Sequence, residues 1–185
     1  MGKHVLVPIA DGTEEIEAVC IIDTLRRAGV TVTVASVDGL QITASRGTRI
    51  VADTTIDSCA GQGFDMIALP GGMPGAQTLS QSKTLVDLLK KKKEAGRWIA
   101  AICAAPAVVL QAHGLLDGIK ATCHPAFQNQ LDPTYASKDP VVVDRNVITA
   151  QGAGVALEFA LTLVEHLVGR DKRKEVAAAM VVPGV

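Results

Sequence analysis

Three short stretches carry residue types that could do chemistry. They are a lone thiol, Cys103, inside the apolar run WIAAICAAPAVVL; three acids, Glu14, Glu15 and Glu17, in ADGTEEIEA; and paired glycines, Gly71 and Gly72, in LPGGMPG. A cysteine between a β-prone run and a helical one, with small residues at 101, 104 and 105, has the form of a nucleophile elbow. In such a strained turn the nucleophile is exposed and the following amides face a developing oxyanion. A helix N-terminus at that point would favour the thiolate and lower the thiol pKa. Ala101 and Ala105 stand where flanking glycines are usual, so the motif is moderately specific. The competing reading of Cys103 is a small buried hydrophobe.

On a helical wheel Ala18, Ile21, Ile22, Leu25 and Ala28 form an inward stripe; Glu14 falls within it, Glu17 lies at its edge and Glu15 projects further away. A carboxyl near an apolar face has a raised pKa and could hydrogen-bond a thiolate or relay a proton. Acids in a first helical turn also simply offset the helix dipole. The wheel does not choose between Glu14 and Glu17. Gly71 and Gly72 either aim amides at a bound carbonyl oxygen or form a plain turn. His124, in TCHPAF, precedes a proline turn and is a candidate site residue, whereas His4, His113 and His166 fall within or beside predicted elements as structural groups.

The elements that must position these residues follow from periodicity. HVLVPI (4–9) is a buried strand, Glu14 to Ala28 a helix closed by Gly29, and VTVTVAS (30–36) a second strand. This βαβ opening predicts a parallel sheet with a right-handed crossover. LQITASRGTRIVADTTI (40–56) predicts a hairpin broken at SRG and attached to the main sheet. FDMIAL, RWIAAI and PVVVDRNVITA supply further strands, the last reversing at DRN. Cys103 opens a helix ending near Gly114, and GVALEFALTLVEHLVG is a helix apolar nearly all round, to be buried by the sheet and by a partner subunit. The expected fold is α/β: a single-domain flavodoxin-like sandwich over residues 1–185, with a mostly parallel central sheet and helices on both faces. In such sheets ligands bind at the carboxyl ends of the strands, where the acids, the glycines and Cys103 all fall.

Composition narrows the function classes. With 48% hydrophobic residues, 3% aromatics and a net charge of -1, the chain has no global positive field for a nucleic acid or an anionic membrane. The run Lys90–Lys93 reads as a solvated helix end. No apolar stretch approaches a membrane span, and the start resembles no leader, so a cytoplasmic protein is expected. Cys20, Cys59, Cys103 and Cys123 form no CxxC pair and are expected to be free thiols. One Cys123-His124 dipeptide is too little for a metal site, and QGAG lacks the third glycine of a dinucleotide fingerprint. Neither metal nor cofactor is expected.

Over essentially its whole length, through ADGTEEIEAV, IDTLRRAGVTVTVAS, SRG, LPGGMPGAQ, AAICAAPAVVL, HP and QGAGVALEFAL in that order, the sequence resembles the ThiJ/PfpI superfamily. The resemblance is to the branch typified by the human parkinsonism-associated protein deglycase and its bacterial relatives. It implies a reactive Cys103, a protonated Glu17 hydrogen-bonded to it, a nearby His124, substrate-facing amides at Gly72 and Ala104, and an Arg46 that reaches toward the neighbouring subunit's site in a homodimer. The activity it implies is a cysteine-dependent, cofactor-free glyoxalase or deglycase. Its substrate would be methylglyoxal, another α-oxoaldehyde, or a glycated protein or nucleotide. The alternative it implies is a redox-sensing chaperone linked to oxidative stress. PfpI-type peptidases carry His directly after the cysteine, where this chain has Ala104, and none of the four histidines is followed two residues later by an acid. Both departures weaken a peptidase or amidase reading.

Overall fold

The computed structural model describes residues 2–184. The strands are β1 (His4–Ile9), β2 (Thr31–Ser36), β3 (Gln41–Thr43), β4 (Arg49–Val51), β5 (Thr54–Thr55), β6 (Met66–Leu69), β7 (Trp98–Ile102), β8 (Val141–Asp144) and β9 (Val147–Ala150). The α-helices are α1 (Glu15–Arg27), α2 (Gly75–Gln81), α3 (Lys83–Glu94), α4 (Ala156–Val168) and α5 (Arg170–Ala179). Seven strands form one sheet in the order β5-β2-β1-β6-β7-β9-β8. Every pairing is parallel except that of the edge strand β8 with β9.

Alternation along the strands divides the apolar residues between two layers. Val5, Val7 and Ile9 of β1 join Ala18, Ile21 and Leu25 of α1 and Phe159, Leu163 and Val164 of α4 on one face. Leu6, Ile67, Leu69, Ile99 and Ala101 join Leu79 of α2 and Leu85 and Leu89 of α3 on the other. Because both faces are covered, the central strands read as continuous apolar runs rather than alternating ones. The sheet, its parallel sense and its two helical layers are as the sequence predicts.

Three local expectations change. The predicted hairpin forms, with β3 antiparallel to β4, but as a separate two-stranded sheet. It is held to the loop after β1 by the Gly12 amide on the Thr43 carbonyl (2.9 Å), the Ser45 amide on the Thr13 carbonyl (2.8 Å) and the Thr43 amide on Asp11 Oδ1 (2.7 Å). The apolar stretch around IKATCH, which reads as a strand leading to His124, is not a full strand; it makes a single parallel bridge between Ala121 and Ala136. Of the lysine run, Lys90 and Lys91 are exposed, while Lys92 and Lys93 lie half-buried and donate to the carbonyls of Phe64 and Gly114. These two lysines tie α3 to its neighbours as well as suiting its C-terminal dipole. No helix among the described residues is long and apolar enough to cross a membrane.

Candidate active site

The chain order reverses beside β1: the first crossover runs to β2, the later ones to the opposite side through β6, β7 and β9. A crevice opens at the carboxyl ends of the strands at such a switch point. Here it is a cavity of about 370 Å³ lined by Glu14, Glu17, Ser45, Arg46, Gly72, Met73, Cys103, Ala104, His124, Phe127 and Ala153. The six residues to which the family resemblance assigns roles, Cys103, Glu17, His124, Gly72, Ala104 and Arg46, all line this one space, as does Glu14, whereas Glu15 and Gly71 do not.

Cys103 follows β7 directly and takes a left-handed backbone, φ 66°. For a non-glycine residue that conformation costs of order 1–3 kcal/mol and persists only where the surroundings enforce it. Here they do: the Cys103 amide donates to the Ala150 carbonyl at 3.0 Å and its carbonyl accepts from the His124 amide at 2.8 Å. Pro106 then opens a widened helical turn, Pro106–Leu110, which tightens at Gln111–His113 and stops at Gly114. The Gly72 and Ala104 backbone amides lie close enough to the half-buried sulfur to favour its charged form.

Gly71 and Gly72 have separate reasons to be glycine. A side chain at 71 would lie 2.5 Å from the Cys103 Cβ and 2.9 Å from Glu17 Oε2. Gly72 has φ 88°, and a side chain there would strike the Glu14 amide at 2.3 Å. The close approach allows the Gly71 amide to donate to Glu17 Oε2 at 2.8 Å, while the Gly71 carbonyl accepts from the Glu14 amide at 3.0 Å. The choice between two acids is resolved in position. Glu17 is fully buried beside Cys103. Glu14 caps the helix start and lines the cavity half-buried, its Oε2 accepting from the Ser45 hydroxyl at 2.7 Å.

Burial raises the Glu17 carboxyl from 4.5 to about 7, with the Gly71 amide and Cys103 opposing the rise and the charge of Glu14 adding to it. Burial likewise pushes the Cys103 thiol up to about 12. The Glu17 charge adds to this, and the Gly72 and Ala104 amides work against it. The expected lowering of the thiol pKa by the helix end is therefore outweighed. Local dipoles are weaker than desolvation plus a carboxylate in direct contact. The two groups titrate as a pair: a neutral Glu17 removes the repulsion and turns the carboxyl into a donor toward sulfur. Among the described residues Glu17 Oε1 has no hydrogen-bond partner, which leaves it free for that proton.

His124 is exposed, its Nδ1 accepting from the Ala126 amide at 3.2 Å. That bond places the neutral ring's proton on Nε2. Arg46 is exposed at the hairpin tip. Ser45, Met73, Phe127 and Ala153 also line the cavity; no local pattern in the sequence marks a residue that merely borders a cavity, and for Ser45 the SRG turn is the one signal. His4 stacks on Phe64 and bonds Thr33, His113 bonds Ser80, and His166 packs on Trp98, all away from the cavity. Among the described residues no three His, Cys, Asp or Glu side chains are grouped to hold a metal.

A doubly wound sheet presenting a cysteine on a strained strand-to-helix turn, with amides aimed at its sulfur, defines a class of α/β proteins built around a nucleophile elbow. Within that class the chain belongs to the DJ-1/PfpI family, whose model matches residues 3–166. It is 46% identical over 180 residues to Protein DJ-1 homolog B of Arabidopsis thaliana, covering 97% of this chain and 41% of that one. The chain thus spans under half the length of that plant relative. It is 37% identical over 171 residues to the glutathione-independent glyoxalase DJR-1.2 of Caenorhabditis elegans, covering 91% of this chain and 89% of that one. The solved structure of oxidized Toxoplasma gondii DJ-1 superposes with a TM-score of 0.97 at 46% identity, covering 98% of this chain and 100% of that one.

The folded-state pKa of Glu17 exceeds its ordinary value, so the stability its protonation supplies is complete below about pH 4.5 and is lost as pH rises through about 7. The rise corresponds to about 3 kcal/mol. Denaturant unfolding of wild type and Glu17→Gln at about pH 5 and about pH 8.5 is expected to show the variant gaining up to that amount, relative to wild type, at the higher pH. An equal difference at both pH values would contradict a buried, protonated Glu17.

Proposed function

We propose that the protein is a cofactor-free glyoxalase or deglycase that uses Cys103 to convert methylglyoxal, or the adduct it leaves on a protein or nucleotide, to lactate. The observation that carries this reading is the pairing of an elbow thiol with a buried acid titrating near neutrality, under two converging amides. Cys103 Sγ adds to the aldehyde carbon, and its proton passes through Glu17 to the resulting hemithioacetal oxygen. The Gly72 and Ala104 amides face that oxygen while it is charged. Glu17, with His124 as the second candidate, then takes the proton from the former aldehyde carbon and a proton returns to the neighbouring carbon. The product is a thioester, and water releases lactate and the free thiol. Methylglyoxal plus water equals lactate, so no oxidant or reductant enters. The name of the Caenorhabditis elegans relative adds support.

A homodimer belongs to this reading. The outward side of α1 leaves Ile16 54% and Val19 50% exposed, and the hairpin leaves Val51 68% exposed. Exposed apolar residues that join into one patch mark a surface for a partner, and these three are the candidates for such a seam. Arg46, at the same hairpin's tip, lines this chain's own cavity, whereas the family resemblance directs it toward the neighbouring subunit's site. Sedimentation is expected to give one species of about twice 19.2 kDa at micromolar concentration; a pure monomer would contradict the dimer.

The second reading, a redox sensor with chaperone action, is favoured by one observation: a relative of very similar structure has been solved oxidized. One experiment separates the two. Purified protein is expected to form lactate from methylglyoxal, and Cys103→Ser to lose at least about a hundredfold in kcat/KM. Full retention by the variant would overturn the catalytic role. No lactate from wild type, with Cys103 alone among the four thiols oxidised by mild peroxide, would establish the sensor instead.

A further inference from the structure

Glu15 stands between the two acids of the cavity in sequence, yet its carboxylate does not line that space. It reaches the turn between β3 and β4. Its two oxygens accept from the Arg46 amide at 3.0 and 3.1 Å, Oε2 from the Ser45 hydroxyl at 2.9 Å and Oε1 from the Thr48 amide at 3.4 Å. Successive amides of a tight turn converging on one carboxylate form an anion nest with the anion supplied by the protein itself. Partial burial works against ionisation, but bonds from its own amide, Ser45 and Thr48 hold the Glu15 carboxyl down at about 2.

We propose that Glu15 is a positioning residue: its carboxylate clamps the Ser45–Thr48 turn against the start of α1 and thereby fixes the polar wall of the Cys103 cavity. That wall consists of Glu14, Ser45 and Arg46, while Met73, Phe127 and Ala153 supply apolar lining of the same cavity. The Ser45 hydroxyl lies 2.7 Å from Glu14 and 2.9 Å from Glu15, so the clamp also governs how Ser45 meets the acid inside the cavity. The hairpin's docking does not depend on it. The Gly12–Thr43, Ser45–Thr13 and Thr43–Asp11 bonds remain when Glu15 is removed, and only the tip is released. The consequence for substrate rests on the oxoaldehyde reading; the clamp itself does not.

The test compares wild type with Glu15→Gln, which keeps the shape and one acceptor oxygen, and Glu15→Ala. Amide hydrogen exchange at Arg46 and Thr48 reads the clamp. Protection of Cys103 from iodoacetamide by methylglyoxal reads occupancy of the site, whether or not lactate is formed. Steady-state kinetics separates KM from kcat. In Glu15→Ala, exchange at both amides is expected to accelerate by about tenfold or more, as loss of charge-assisted bonds implies. Methylglyoxal protection and KM are expected to weaken by about tenfold, with kcat and the uninhibited alkylation rate within about twofold of wild type. Glu15→Gln is expected to fall between. Unchanged exchange would overturn the clamp. A fall in kcat and alkylation rate at constant KM would overturn the role in the wall and assign Glu15 to the nucleophile instead. If wild type forms no lactate, the glyoxalase reading fails by itself, and exchange together with methylglyoxal protection still decides the proposal.

Discussion

Glu17 and Cys103 share a space too dry for two negative charges. Each is pushed upward by burial, and each would raise the other further by ionising. The surrounding fold is organised to make this pairing unavoidable. α1 delivers the acid, the turn after β6 brings the Gly71 amide to it, and the end of β7 holds the thiol in a left-handed turn. Gly71 is the point of closest contact, since any side chain there would separate the two groups. A buried acid and thiol with one proton between them can donate to a forming oxyanion or accept from carbon without a cofactor changing state.

Much of the scaffold was legible because its physics is local. Continuous apolar runs bounded by glycine and polar turns marked β1, β6 and β7, a period of 3.6 marked α1, and a long run apolar nearly all round marked α4. Parallel pairing followed from the βαβ opening. The attachment of the hairpin was not legible: β3 and β4 have strand-like sequences, but nothing in them says that they pair only with each other. Ala121 illustrates the same limit, since an apolar residue before His124 makes one bridge or a strand according to what lies opposite.

The site divides along the same line. Cys103 was marked by its place between strand and helix, and Glu17 by its edge position on a wheel, but the wheel alone could not prefer it over Glu14. What separates them is the fully buried side chain of Glu17 against the partly exposed cap of Glu14. The direction of the thiol pKa is not legible in sequence because the helix end is local, while the burial that chiefly raises it and the Glu17 charge that adds to it, from 86 positions away, are tertiary. Glu15, which a wheel assigns to solvent, binds a turn some thirty residues ahead. Tertiary contacts of this kind leave no trace in spacing.

The shared proton is the central claim, and the pH dependence of Cys103 alkylation by iodoacetamide tests it most directly. Because alkylation follows the thiolate population, its profile reports the proton lost by the pair, whichever group the remaining one occupies. Wild type is expected to show an inflection near 7 in addition to the rise at alkaline pH, and Glu17→Gln to lose that inflection and to shift the alkaline rise to lower pH, since no carboxylate charge then opposes the thiolate. An identical inflection near 7 in both proteins would show that Cys103 titrates without Glu17 and would contradict the account.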